Sequence, residues 1–225
     1  MKNTQEHPIP VIAIDGPSAS GKGTVAQLVA DKLGFAYLDS GALYRVVAFA
    51  AHQNNIAWDD ADAVAKCAKS LQIKFIHDQV LLNGQDISNE IRTELMGKGA
   101  SQVAVHAPVR AALVDLQHSF LQSPGLVADG RDMGTVIFPS APLKIFLTAS
   151  TEIRAERRYK QLLGKNQAAN YENILQDLQE RDARDQRRAS APLVMAEHAI
   201  LLETDNLSIA DAVNTVLDAF KKCKD

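Results

Sequence analysis

An α/β fold wound around a phosphate-binding loop is what this sequence predicts, on three grounds. The run Val11–Thr24, VIAIDGPSASGKGT, passes from four apolar residues through a glycine-bearing loop into good helix formers that begin at Lys22. Short apolar runs then alternate with stretches of helical periodicity, the rhythm of strands joined by helices. A chain of 225 residues can bury one sizeable core, so the expectation is a single domain over 1–225 with insertions.

The first element is a short buried strand, Val11–Ile14, ended by Asp15 and Gly16. Gly16, Gly21 and Lys22 then fit the spacing GxxxxGK of a P-loop. Small residues there let backbone N–H groups close around a phosphate, and the lysine adds a point charge. One position departs from the pattern: Gly23 stands where a magnesium-touching hydroxyl usually follows the lysine, and Thr24 comes one residue later. Direct coordination of magnesium by Thr24 is therefore left open.

Val25, Leu28, Val29 and Leu33 recur at helical spacing, and Gly34 closes that helix. A second strand, Phe35–Leu38, delivers Asp39-Ser40-Gly41 at its C-terminal end, where open α/β sheets place their ligands. A helix from about Ala42 to Gln53 follows, with Arg45 near its start and Asn54-Asn55 ending it. Asp59–Leu71 reads as a helix. After it, Ile73, Phe75 and Val80–Leu82 surround a polar turn at His77-Asp78-Gln79, and Asn83-Gly84 signals a second turn. These features predict a small antiparallel insertion. Gly97–Val105 and Val109–Leu121 read as helices separated at Pro108, whose ring disfavours helix at Ala107. Leu126–Ala128 and Leu143–Leu147 are a third and fourth strand, Thr151 caps the next helix, and Gly164-Lys165-Asn166 interrupts it. A helix from about Tyr171 to Arg188, a fifth strand at Ala199–Leu202 and a closing helix at Ser208–Phe220 complete the chain.

Composition narrows the function. A net charge of −3 leaves no general excess of positive charge, which argues against a nucleic-acid polymer as partner. Cys67 and Cys223 show neither CxxC nor metal-ligand spacing, which suits a reducing compartment, so a cytoplasmic location is expected. Met1–Pro10 is polar, and no run approaches the ~20 apolar residues of a membrane span. No apolar surface helix is left over, so a monomer is expected. The histidines form no ligand pattern; His52, His77, His106 and His118 read as surface or turn residues. No GxSxG motif marks a covalent nucleophile.

The charged residues are more telling. Seven of the eleven arginines lie between Arg154 and Arg188, in a chain that is slightly acidic. Arg154, Arg157 and Arg158 share one helix face, and Arg181, Arg184, Asp185 and Arg188 share another. Two such faces flanking Gly164 suit a clamp over polyphosphate, since the planar fork of arginine matches phosphate oxygens. Salt bridges to Glu156, Glu180 and Asp182 are the alternative use of these side chains. Asp129, at the end of an apolar strand, stands where a carboxylate holds magnesium directly or through water, and Arg131 and Asp132 follow at once. A GTPase would need NKxD, which is absent, and a DxxG beginning at Asp129 fails because Asp132 occupies the glycine position.

Five segments together resemble a known family: IDGPSASGKGT, LDSGALYR (Leu38–Arg45), ADGRDMGTVIFP (Ala128–Pro139), KIFLTAS (Lys144–Ser150) and ERDARDQRRASAPL (Glu180–Leu193). They are similar to the bacterial cytidylate kinases across almost the full length, and the Gly23 departure is that family's own habit. The resemblance implies a five-stranded parallel sheet flanked by helices, an inserted acceptor-binding segment at about 59–105 and a lid at about 154–188. It also implies transfer of the ATP γ-phosphoryl group, with Mg²⁺, to CMP or dCMP. The implied ATP contacts are Gly16, Pro17, Ser18, Ala19, Ser20, Gly21, Lys22, Gly23, Thr24 and Arg157. Ser40, Arg45, Arg131 and Arg188 are implied around the acceptor phosphate, Ser101, Arg110 and Asp132 on the cytosine, and Arg181 and Asp185 on the sugar. Lys22, Arg131, Arg158 and Arg188 would act on the transferring group, and Asp129 with Thr24 on Mg²⁺, through water. Another small acceptor such as UMP or AMP, or nucleotide binding without transfer, are the competing readings.

Overall fold

The computed structural model describes residues 9–76, 79–164 and 168–223. The predicted turn at His77-Asp78, the predicted helix interruption at Lys165-Asn166 and the N-terminal residues before Ile9 lie outside the described residues. Five strands, β1 (Val11–Asp15), β2 (Ala36–Asp39), β6 (Leu126–Gly130), β7 (Leu143–Thr148) and β8 (Ile200–Glu203), form one sheet in the order β2-β6-β1-β7-β8. Every pairing in it is parallel. The small antiparallel insertion is also present, as β3 (Ile73–Ile76), β4 (Gln79–Leu82) and β5 (Gln85–Asp86).

Parallel sheets need cover on both faces, and β1 shows how the sequence meets that demand. Val11 and Ala13 face a core shared with α2 (Ser40–Gln53), α3 (Ala61–Ser70), α4 (Glu94–Val103) and α5 (Ala107–His118). Ile12 and Ile14 face the opposite core, shared with α1 (Lys22–Leu33) and α8 (Ile209–Lys222). All four are buried, so the run is apolar throughout instead of alternating. The antiparallel sheet packs on the other side of α2, where Val80, Ile87 and Ile91 meet Val46.

Several boundaries differ from the sequence reading, each for a local reason. Pro108 lies inside the first turn of α5 and Ala107 begins that helix. A first-turn N–H has no intrahelical acceptor, so proline costs nothing there and does not separate two helices at that point. Helix α4 begins at Glu94, three residues earlier than the pattern suggested, because the Thr93 hydroxyl accepts from the Met96 N–H. Ser150, not Thr151, caps α6 (Thr151–Leu163), accepting from the Ile153 N–H. His106 is half-buried and not a surface residue, whereas His118 is exposed as expected; a ring nitrogen of each meets a carbonyl, of Trp58 and of Ile137 respectively, at 2.9 Å. The residues after β6 form a wide turn, Met133–Ile137, in which the Ile137 N–H reaches the Asp132 carbonyl five residues back. Neither strand nor helix periodicity reports such a turn.

Gly16 is the point at which the sheet and the loop constrain each other. A Cβ placed on it would stand 1.9 Å from the Leu147 carbonyl oxygen of the adjacent strand. Gly16→Ala is expected to cost at least ~2 kcal/mol through displacement of β1 against β7. Thermal unfolding checks this: a drop of roughly 4 °C or more in Tm supports it, and an unchanged Tm refutes it.

Candidate active site

The C-terminal ends of β1, β2 and β6 open into a cleft of about 450 Å³. The P-loop contributes Ser18, Ala19, Lys22 and Gly23; the start of α2 contributes Ser40 and Arg45; α4 and α5 contribute Ser101 and Arg110. The end of β6 supplies Asp129, Arg131 and Asp132, α6 supplies Arg158, and α7 (Tyr171–Arg187) with its C-cap supplies Arg181, Asp185 and Arg188. The remaining residues singled out from the sequence are not in the lining. Gly16 is wedged beneath the loop, and the Pro17 carbonyl accepts from Lys22 Nζ at 3.4 Å. Ser20 is buried, Thr24 is exposed on the first turn of α1, and Arg157 donates to the Ser20 and Thr204 carbonyls.

The P-loop end of the cleft is set by backbone shape. Gly21 takes φ 92° as the residue before α1, a left-handed conformation that a side chain would strain. It offers no side-chain oxygen, so no side chain caps α1, and the positive end of the helix faces the loop. Lys22 on that first turn lies 4.0 Å from Asp129, whose other oxygen accepts from the Tyr37 hydroxyl at 2.7 Å. Burial, with Arg131 nearby, pushes the Lys22 ammonium down to about 8; burial and the neighbouring Asp39 carboxylate push Asp129 up to about 7. Both shifts describe charges held with less solvation than water would give them.

The opposite wall is a lattice of arginine and carboxylate. Arg131 donates to Asp185 at 2.8 Å and to the Ser18 hydroxyl at 2.7 Å, so it joins the P-loop to α7. Burial alone would raise Asp185, but the Arg131 and Arg181 guanidiniums hold it below the usual carboxylate range. Arg110 is ion-paired with Asp132 and also donates to the Ala104 carbonyl at 3.1 Å. Arg184, which the sequence placed on the same face as Arg181, donates to the Ser101 hydroxyl at 3.0 Å. Arg45 donates to the Ile91 and Thr93 carbonyls at 2.9 and 3.2 Å.

Some cationic donors in this lattice are unspent. Among the described residues, Arg181 Nε and Arg188 Nη2 are buried without a hydrogen-bond partner. Burial, together with Arg131, pulls Arg181 down to about 10. Buried N–H groups on cations ordinarily find acceptors, and an anion entering the cleft would supply them. Arginines on one face also differ in use. Arg154 spends its N–H groups on the Ala149 and Ser18 carbonyls, Thr151 and Asp182, whereas Arg158 reaches only Glu94 and Gln161.

Three contributors escaped the sequence reading, and a fourth was named there only as an alternative. Tyr37 orients Asp129. Gln117, fully buried on α5, accepts from the Ser40 hydroxyl at 2.8 Å. Asp182 pairs with Arg154, a use the sequence left open, and Asp15 binds the turn after Asp132. Tyr37, Gln117 and Asp15 act on residues at least 77 positions away, so no local spacing could have revealed them.

The donor set around Asp129 fits a hard divalent cation. A carboxylate whose charge is resisted by burial and by Asp39 gains from a cation, and the bare Gly23 leaves its oxygens uncrowded, since a Cβ there would lie 3.9 Å from Asp129 Oδ2. Among the described residues no group of three His, Cys, Asp or Glu side chains forms a metal cage. Mg²⁺ commonly binds through only one or two carboxylates, retained waters and substrate phosphates, so the fit does not require such a cage.

Comparison with known proteins places these observations. The family model described as cytidylate kinase matches residues 12–222. A cytidylate kinase of Burkholderia thailandensis is 58% identical over 223 residues, covering 99% of this chain and 98% of the relative. A cytidylate kinase of Cupriavidus necator is 59% identical over 210 residues, covering 93% and 95%. Among solved structures, an uncharacterized protein from Eubacterium ventriosum aligns with TM-score 0.52 at 10% identity over 94% of this chain and 98% of that one, a likeness of fold alone.

Proposed function

Because this chain belongs to the cytidylate kinase family, we propose that it transfers the γ-phosphoryl group of ATP to CMP or dCMP, giving ADP and CDP or dCDP. The observation that carries this reading is the convergence of Lys22, Arg131, Arg181 and Arg188 on one cleft, with two of these guanidiniums holding buried unpaired N–H groups. A nucleoside monophosphate is already largely anionic at neutral pH, with a second phosphate pKa of about 6, so its oxygen attacks without a general base. What remains is positioning and neutralisation of the equatorial oxygens through a loose transition state.

In this reading ATP lies on the P-loop run Gly16–Thr24, with Lys22 on its β- and γ-oxygens and Arg158 reaching in from α6. Ser40, Arg45, Arg131 and Arg188 hold the acceptor phosphate, Arg181 and Asp185 the sugar, and Ser101, Arg110 and Asp132 the cytosine. Arg157, bonded to the P-loop carbonyl of Ser20, supports the ATP side by fixing the loop. Mg²⁺, held by Asp129 with Thr24 through water, would screen the phosphate charges. The segment 59–105 closes the acceptor side and 154–188 forms the lid, with the chain acting as a monomer in the cytoplasm. Among the described residues no helix is long and apolar enough to cross a membrane.

A coupled assay of ADP formation across a panel of monophosphates tests the whole reading. Turnover with CMP and dCMP well above UMP and AMP supports it; preference for UMP or AMP, or binding without ADP formation, overturns it. Lys22→Ala is expected to lower kcat by about 10²–10³ with the fold retained, since the ammonium acts on phosphate oxygens and not on the core. A folded variant with undiminished kcat would remove Lys22 from the chemistry.

Base choice provides a separate test. Cytosine presents an amino donor at N4 and acceptors at N3 and O2, whereas uracil presents an O4 acceptor and an N3–H donor. One oxygen of Asp132 is engaged by Arg110, leaving the carboxylate able only to accept when ionised. Asp132→Asn keeps the shape but can turn either an oxygen or an N–H to the base. The kcat/KM ratio of CMP to UMP should fall at least about tenfold, or about 1.4 kcal/mol of discrimination. A constant ratio in a folded variant would leave Asp132 as no more than the counterion of Arg110.

A further inference from the structure

Asp15 closes β1 immediately before the phosphate-binding loop, yet its side chain serves the other half of the cleft. It is 3% exposed, and its two carboxylate oxygens accept separately from the Met133 and Gly134 N–H groups, each at 2.8 Å. Those two amides open the wide turn Met133–Ile137. Amides at the start of any helical turn have no acceptor within it, and a side-chain oxygen normally comes from the residue just before. Here Asp132, in that position, makes no such bond. Its carboxylate faces Arg110, while its carbonyl accepts the Val136 and Ile137 N–H groups at 2.9 and 3.1 Å. The capping task has passed to a carboxylate more than a hundred residues earlier in the chain.

We propose that Asp15 is a positioning residue for acceptor choice, a two-oxygen clamp on the Met133 and Gly134 amides that fixes the Asp132 carboxylate where it meets the base. The proposal rests on the cytidine-specific reading of Asp132 given above. Its logic is geometric. Asp132 is held on one side by its pair with Arg110 and on the other by the turn that starts at its own carbonyl. Without the clamp, the first two N–H groups of that turn would be buried and unmatched, and the turn would shift to satisfy them. Arg131, one residue further back, is anchored independently to Ser18 and Asp185, so the displacement falls on Asp132. Lys22 rides on α1 and keeps its own anchors at Pro17 and Asp129.

Asp15→Asn is the most direct variant: its side-chain oxygen can accept one of the two N–H groups, but its amide meets the other donor with a donor. The expected result is a five- to tenfold fall, roughly, in the CMP to UMP ratio of kcat/KM, arising from a higher KM for CMP, while the ATP dissociation constant stays within about twofold. Simple loss of stability would lower activity toward both acceptors together and leave the ratio in place. An unchanged ratio in folded protein overturns the proposal, as does a loss of ATP affinity equal to the loss of CMP affinity, which would make Asp15 a support of the phosphate loop instead. Amide hydrogen exchange at Met133 and Gly134 in the wild-type chain requires no variant to fold: slow exchange supports the clamp, and exchange at the rate of unbonded amides overturns it. Asp132→Asn measured alongside separates the two ideas. If that variant keeps its discrimination, the reading of Asp132 fails; if it loses discrimination and Asp15→Asn does not, the clamp alone fails.

Discussion

Lys22 and Asp129 face each other 4.0 Å apart in the cleft, and the sheet and loop around them hold these charges together where water is scarce. An isolated buried charge is costly, and a pair recovers that cost only with good geometry and further hydrogen bonds. The parallel sheet supplies the geometry. Asp129 lies on β6 beside both β1 and β2, so the strand that leads into the loop and the strand that carries Tyr37 are its immediate neighbours. Tyr37 then satisfies one carboxylate oxygen, and burial, followed by the Asp129 and Asp39 charges, drives its phenol far above its ordinary range. The hydroxyl is therefore fixed as a donor.

A second consequence is that the two halves of the cleft are mechanically joined. Arg131 ties the P-loop hydroxyl of Ser18 to Asp185 on α7, and Arg154 ties the Ser18 carbonyl to Asp182 on the same helix. Asp182 and Asp185 are three residues apart and so present neighbouring side chains. Helix α7 with its C-cap thus carries both anchors to the phosphate loop together with Arg181 and Arg188, which line the cleft. A helix held this way cannot shift relative to the loop without breaking charge-assisted bonds at both points.

What the sequence made legible is what depends on neighbours in the chain. The strand starting at Val11, the loop glycines, the start of α1 at Lys22 and the end of the helix at Gly34 all follow from local apolar runs and turn chemistry, and each stands where the pattern put it, the strand running one residue further to Asp15. The five strands were readable for the same reason, because a strand buried on both faces is a short apolar run between turn signals. The residues that set the geometry of the site were not readable. Gln117 reads as one more polar residue on a helix until the fold places it beneath Ser40, and Asp15 reads as the end of a strand until β1 and β6 pair in register and bring it beside the turn after Gly130. Hydrogen bonds between residues 77 to 119 positions apart leave no periodic trace.

The arginines show the same limit within a single helix. Arg154 and Arg158 share a face of α6, and their sequence pattern treats them alike. Their surroundings do not. Arg154 is buried and committed to carbonyls, Thr151 and a carboxylate, so its release would strand several acceptors at once. Arg158 pairs with Glu94, a side chain more than half exposed, and Lys98 and Asp177 make a similarly exposed bridge across the same cleft mouth at 3.4 Å. Exposed pairs contribute at most about 1 kcal/mol, because water competes for both partners. Under the proposed function, a polyphosphate entering the cleft would carry more charge than one carboxylate and would draw Arg158 from Glu94 at little cost, with Arg154 staying in place. One face of one helix therefore combines a buried brace for the phosphate loop with a guanidinium held by an exposed partner, and the difference lies in burial rather than in the spacing of the arginines.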